Sequence, residues 1–276
     1  MILRINDQNF NLEFDQKDLS IKTPILFLHG FTGNLNDWKF VSGKLNSSFT
    51  NIFIDLIGHG NSSSPHEVEL YSSESQVKFL KLILEKLNLE KVVLVGYSMG
   101  GRLAIDFSYN YSQCVKGLVL ENSSFGLQTE SERHERMIND INLAEQIENS
   151  TIEEFINYWQ NIPLFDSQKK MPKEILREVK TEKIKKNNKI GLKNSLLGFS
   201  TGKMKNYFNL ISKFNFPILL ISGEFDKKFS EIAERVNPLL RNSDLYVVKN
   251  AGHNIHLEKP EEFLKLLNTF LLKLES

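Results

Sequence analysis

Residues Lys91 to Ala104 read KVVLVGYSMGGRLA, and the fold turns on this stretch. Val92 to Val95 are four apolar residues in a row, the pattern of a strand buried on both faces. Gly96-Tyr97-Ser98-Met99-Gly100 follows as G-x-S-x-G, and a helix-like run starts at Gly101. Strand, sharp turn and helix in that order is the setting of a nucleophile elbow. Gly96 and Gly100 lack Cβ atoms, so strand and helix can close tightly around Ser98. The backbone N–H of Met99, at the helix start, can face a developing negative charge. Alone, the pattern also suits a glycine-rich turn with a capping serine.

Upstream, Pro24 to Leu28 is a second apolar run, ending in His29-Gly30-Phe31-Thr32-Gly33. A loop there lies at the carboxyl end of a central strand, where open α/β sheets place their ligands. In an elbow-bearing fold this loop supplies a second oxyanion donor, assigned here to the N–H of Phe31. A short helix is expected over Asp37 to Leu45, a buried strand over Ile52 to Asp55, and an amphipathic helix over Ser72 to Leu89. His59, within Gly58-His59-Gly60, is read as structural, because a better-placed histidine comes later. Met1 to Phe14 reads as a hairpin at the sheet edge. It alternates and carries charges, unlike a signal peptide.

Downstream, Val115 to Leu120 is another strand. From Gly126 to Asn209 charged residues are dense, helical periodicity dominates and no buried strand interrupts. This is too long for a loop. It reads as a helical cap, with helices at Glu130 to Ile147, Thr151 to Trp159, Pro172 to Lys186 and Gly191 to Thr201. Residues 1–125 and 210–276 are then the two parts of the core. Strands resume at Phe216 to Ser222 and Leu245 to Val248, with helices at Phe229 to Leu240 and Pro260 to Leu274. Alternating strands and helices imply a mainly parallel sheet covered on both faces, an α/β architecture.

Composition narrows the function. The 276 residues carry 34 Lys plus Arg against 34 Asp plus Glu, a formal net charge of zero. That leaves no electrostatic footprint for nucleic acid or an anionic membrane. No apolar run is long enough to span a bilayer. The single cysteine, Cys114, excludes a disulfide framework and a cysteine zinc site, and it fits a reducing cytosol. No ligand cluster implies a metal or organic cofactor.

Three polar residues stand just after three apolar strands: Ser98, Asp226 and His253. Their chain order suits a triad on this fold. A serine hydroxyl is unreactive at neutral pH until a base takes its proton. His253 can accept that proton, and Asp226 can orient and stabilise the imidazole. Asp226 could instead cap the helix that follows, and His253 could be a plain loop residue. All three at strand ends, in order, argue against that. His256 is nearby, but the role goes to the histidine directly after Gly252.

LHGF at 28–31, DLIGHGNS at 55–62, GYSMGG at 96–101, GEFD at 223–226 and AGH at 251–253 resemble the α/β-hydrolase superfamily over essentially the whole chain. A narrower set, GYSMGGR, GLQTESERHER, FINYWQNIPLF, LLGFSTGKM, GEFDKKF and GHNIHLEKPEEF, is similar to the 2-succinyl-6-hydroxy-2,4-cyclohexadiene-1-carboxylate (SHCHC) synthase family of menaquinone biosynthesis. This resemblance implies a lyase that eliminates pyruvate from an enolpyruvyl substrate, with Ser98 as a general base rather than an acylated nucleophile. It implies substrate-binding roles for Arg102, Arg136, Trp159 and Phe165, with Lys185 near the place of a third family arginine. A small, multiply anionic substrate wants such cations, since arginine binds carboxylates bidentately. Tyr97 could donate to a carboxylate.

Two other readings stay open at this stage. The same triad could hydrolyse esters or C–C bonds, since fold alone does not decide chemistry. A receptor of this fold could bind a small ligand and signal through a partner. Oligomeric state is not legible.

Overall fold

The computed structural model describes residues 1–15 and 22–275. β1 (Ile2–Ile5) and β2 (Gln8–Phe14) form the antiparallel hairpin expected at the sheet edge. β3 (Thr23–Leu28), β4 (Phe49–Ile54), β5 (Val92–Tyr97), β6 (Val115–Glu121), β7 (Ile218–Gly223) and β8 (Ser243–Val248) complete it. The order is β1-β2-β4-β3-β5-β6-β7-β8, parallel from β4 to β8.

The side chains of β3, β5 and β7 alternate between two cores. Leu26, Leu28, Val92, Leu94, Ile218 and Leu220 pack with α1 (Ser73–Lys86) and α2 (Met99–Asn110). Ile25, Phe27, Val93, Val95, Leu219 and Ile221 pack on the other face, with Trp38 and Phe263. A period of two with both faces apolar explains why these strands read as unbroken hydrophobic runs.

The cap is inserted between β6 and β7. It comprises α3 (Glu130–Asn149), α4 (Ile152–Gln160), α5 (Lys173–Lys186) and α6 (Lys189–Gly198), with a 3₁₀ segment at Pro163–Lys170. Thr129 and Thr151 each open a helix with a reciprocal capping box, to Glu132 and Glu154. A small core of Ala144, Ile147, Phe155, Ile156, Leu192 and Leu196 holds these helices together. α7 (Lys227–Val236) follows β7, and α8 (Ile255–Glu258) and α9 (Pro260–Lys273) close the chain.

Several boundaries differ from the sequence expectations. The helix expected over Asp37 to Leu45 is a 3₁₀ segment at Leu35–Val41. It starts early because Asn34 and Asp37 cap it reciprocally. The helix expected over Phe229 to Leu240 begins at Lys227 and ends at Val236, two residues before Pro238. α6 starts two residues earlier than expected, at the cap formed by Asn188.

Strand register sets the site. Leu28 pairs with Gly96, Tyr97 with Glu121, Glu121 with Ile221, and Gly223 with Val248. The carboxyl ends of five strands therefore lie nearly level, and the loops after them converge on one edge.

Candidate active site

Ser98 sits on the turn between β5 and α2 at φ +50°, ψ −107°, a left-handed backbone that a side-chain-bearing residue adopts under strain. A Cβ at Gly100 would overlap the Leu28 carbonyl, and one at Gly96 the backbone of Gly101. The two glycines are therefore required by the closeness of strand and helix. The Ser98 N–H donates to Glu121 O at 2.9 Å, which ties the elbow to β6.

The structure brings Ser98, His253 and Asp226 together. His253 Nε2 lies 3.0 Å from Ser98 Oγ, and Nδ1 lies 2.5 Å from Asp226 Oδ2. With Nδ1–H donating to the carboxylate, Nε2 keeps a lone pair for the serine proton. Asp226 opens α7 but makes no side-chain cap, so its carboxylate is committed to the histidine. The imidazole is buried among Phe229, Tyr97 and Phe165, with centroids 4.8, 5.3 and 5.9 Å away.

A cavity of about 410 Å³ opens above Ser98. Phe31, Tyr97, Met99, Arg102, Arg136, Trp159, Phe165 and His253 all contribute to its wall. Tyr97 packs against Gly30, where a Cβ would meet its ring at 2.6 Å. Burial, reinforced by the Glu121 carboxylate, pushes the Tyr97 phenol well above its usual range, so it stays a donor. The Trp159 indole Nε1 is buried with no protein partner among the described residues. Its ring meets Phe31 edge-on at 5.1 Å.

The two arginines are held differently. Arg102 is buried one turn along α2 from Ser98, with Nη1 donating to Phe199 O at 2.7 Å and the guanidinium 4.5 Å from the Phe199 ring. Among the described residues it makes no ion pair. Burial, and then the nearby Arg136 charge, lower it to about 10. Arg136 is half exposed, and its Nε donates to both carboxylate oxygens of Asp140 at 2.9 Å.

Lys185 is not brought to the cavity: it is exposed on α5 and absent from the wall. Two positions along a helix turns the side chain about 200°, and Lys183 is the lysine that points inward. Its Nζ donates to Thr32 Oγ1 at 3.1 Å, and Asn187 Nδ2 donates to Thr32 O at 2.9 Å. The cap thus grips the loop that carries Phe31. Burial holds Lys183 below the usual lysine range, against the opposing pull of Asp37.

His59 is away from the triad, as expected. It is buried beside His29, with centroids 5.1 Å apart, and burial lowers it to about 3. His29 is lowered to about 4, chiefly by burial. Its Nδ1 donates to Gly30 O, and its Nε2 accepts from Leu56 N. His256 pairs with buried Glu121 at 2.8 Å, not with Ser98.

Sequence reasoning missed Lys228 and Phe229, which line the cavity just after Asp226. A signal was present, since the first turn after a strand-end acid must lie beside that acid. It also missed Phe199, Ser195 and Leu196, whose place on the wall depends on how α6 packs.

Among the described residues no group of three or more His, Cys, Asp or Glu could hold a metal ion. No helix there is long and apolar enough to cross a membrane.

A family model described as the alpha/beta hydrolase fold matches residues 23–260. A Bacillus subtilis (strain 168) protein, provisionally named a 2-succinyl-6-hydroxy-2,4-cyclohexadiene-1-carboxylate synthase, is 42% identical over 247 residues, 90% of this chain and 89% of that one. A Klebsiella pneumoniae synthase of the same name is 29% identical over 90% of this chain and 93% of its own. Among solved structures, MenH from S. aureus superposes with a TM-score of 0.90 at 30% identity, covering 96% of this chain and 99% of that one. A malate-bound esterase from Thermogutta terrifontis, TM-score 0.85 at 23% identity over 98% of this chain and 95% of its own, shares the fold. The chain has the α/β-hydrolase fold and belongs to the 2-succinyl-6-hydroxy-2,4-cyclohexadiene-1-carboxylate synthase family.

Proposed function

We propose that this enzyme is a carbon–oxygen lyase of menaquinone biosynthesis. It converts 2-succinyl-5-enolpyruvyl-6-hydroxy-3-cyclohexene-1-carboxylate to SHCHC with release of pyruvate. The observation that carries this reading is Arg102, a buried guanidinium with no ion pair among the described residues, in the same cavity as the serine and one helical turn from it. A buried, unpaired cation is costly, and an anionic substrate relieves the cost. An ester pocket for neutral substrates has no use for it.

The chemistry follows from the substrate and product. The ring C–H at position 2 lies next to the succinyl carbonyl and is acidified by it. His253 takes the Ser98 proton, and the serine oxygen takes the ring proton. The C–H electron pair becomes the 2,3 double bond, the 3,4 pair shifts to 4,5, and the C–O bond to the enolpyruvyl group breaks. The departing pyruvate enolate takes its proton from protonated His253. No acyl-enzyme forms and no water is consumed. In this reading Asp226 holds the imidazole in the required tautomer.

Negative charge develops on the succinyl carbonyl oxygen, which the Phe31 and Met99 N–H groups would stabilise. Arg102, Arg136 and Tyr97 would take carboxylates, with Lys228 as a further cation at the wall. Trp159 and Phe165 would pack the carbon skeleton. Residues 126–209 would act as the cap that carries the recognition side chains.

The test is a paired assay, following pyruvate release from the enolpyruvyl substrate beside hydrolysis of a neutral p-nitrophenyl ester. Fast pyruvate release with negligible ester cleavage is expected. Efficient ester turnover without pyruvate release overturns the lyase reading.

A further inference from the structure

Glu121, Asn122 and Ser123, at the end of β6, bear on all three members of the candidate triad although none belongs to it. All three are buried. Glu121 O accepts the Ser98 N–H at 2.9 Å, and the Ser123 hydroxyl donates to Ser98 O at 2.9 Å. The peptide units of Ser98 are therefore gripped from both sides.

Asn122 reaches the other two members. Its Nδ2 donates to His253 O at 2.8 Å and to Gly252 O at 3.1 Å, while its Oδ1 accepts from Gly223 N at 3.3 Å. Gly223 O in turn accepts the Asp226 N–H at 2.9 Å. One carboxamide thus spans the loop that presents the base and the turn that presents its acid, with both of its N–H groups used. Asn122 has φ +42°, a backbone that asparagine tolerates better than most residues.

The Glu121 carboxylate adds a fourth tie. It accepts from the His256 N–H at 3.0 Å and lies 2.8 Å from His256 Nδ1, which anchors the far end of the histidine loop.

We propose that Glu121, Asn122 and Ser123 are positioning residues that set the Ser98–His253–Asp226 geometry, with Asn122 holding the histidine and aspartate loops in mutual register. The proposal rests on the reading of those three residues as the catalytic triad. Misplacing a catalytic group by about 1 Å costs roughly a hundredfold in rate. Asn122 is not itself part of the cavity wall and reaches it only through the His253 backbone, so its loss is expected to act on turnover more than on substrate binding.

The test uses Asn122→Gly, which suits the left-handed backbone and removes the carboxamide, and Asn122→Asp, which keeps the shape but loses both donations. Ser123→Ala is a milder variant that keeps the question answerable if Asn122 variants do not fold. Two readouts are taken on folded protein: kcat and KM for pyruvate release, and the rate of Ser98 labelling by a fluorophosphonate followed by intact mass. Ser98→Ala is the unlabelled control. For the Asn122 variants kcat and labelling are expected to fall about tenfold to a hundredfold, with KM within about twofold. For Ser123→Ala a several-fold fall is expected. Folded variants with wild-type kcat and labelling, or losses confined to KM, overturn the proposal. If wild-type protein releases no pyruvate, the lyase reading fails, and the labelling arm still decides the positioning role.

Discussion

His253 stands within hydrogen-bonding distance of both Ser98 and Asp226, in loops that follow the carboxyl ends of β5, β7 and β8. Arg136, by contrast, stands half exposed on a cap helix, its Nε engaged by Asp140. The core half of the site is preset by strand register and by buried polar ties. The cap half is held by a small satellite core, by contacts to the Phe31 loop and by ties from α6 and Phe199 to residues 58–71 and to Arg102. This difference divides the labour. Under the proposed function, the core half sets the reacting geometry and the cap half recognises the substrate. Substitutions in the core should therefore act on kcat, and those in the cap on KM.

The largest effect tests the core half. Ser98→Ala should reduce pyruvate release by about 10⁴-fold, and Asp226→Asn by a comparable factor through the wrong histidine tautomer. Steady-state kinetics on folded protein measures both. Turnover near wild type in either would break the division at its centre.

Acid stability tests the same half independently. His29 and His59 are held neutral by burial, at about 4 and about 3 against an ordinary 6.5. Their contribution is complete above pH 6.5. It is lost as the pH falls through about 4 and then about 3, because the unfolded chain gains protons that the folded chain refuses. At roughly 1.4 kcal/mol per unit, His29 alone accounts for about 3 kcal/mol. The melting temperature should drop across this window, and His29→Gln should flatten the drop. A pH-independent profile would show that the buried histidines do not govern it.

Arg102 lies at the boundary, a core residue facing the cap. Arg102→Ala should lower kcat/KM by about a hundredfold, with Arg102→Lys recovering only part, since an ammonium cannot grip a carboxylate bidentately. Unchanged kinetics would remove Arg102 from recognition.

The smallest effects lie in the cap. Arg136→Ala should raise KM by roughly tenfold with little change in kcat, a loss in the range of an exposed charge-assisted contact. Lys185→Ala should leave both within about twofold, as expected of a solvated surface lysine. A large effect at Lys185 would mean that α5 turns when substrate binds.

The core was legible in the sequence because its constraints are local. Strands buried on both faces must be apolar throughout, and Gly96 and Gly100 are demanded by a close approach within a few residues of Ser98. Asp226 and His253 were singled out because each lies in the short loop that follows an apolar run. The cap was less legible. Its helices show their caps, but a helix wheel does not say which face meets the substrate. That is why a lysine two positions away on the same helix, Lys183, faces inward instead of Lys185.

The sequence by itself therefore determined the elbow, the order of the candidate triad residues and the existence of a helical insertion, all properties of short segments with their own steric and hydrophobic requirements. Tertiary structure alone decided that Asp226 binds His253 instead of capping α7, that His256 pairs with Glu121, and that Arg102 is buried with no ion pair among the described residues. Those outcomes depend on partners 27, 135 and 97 positions away in the chain. Only sheet register and the docking of the cap bring such residues within hydrogen-bonding distance.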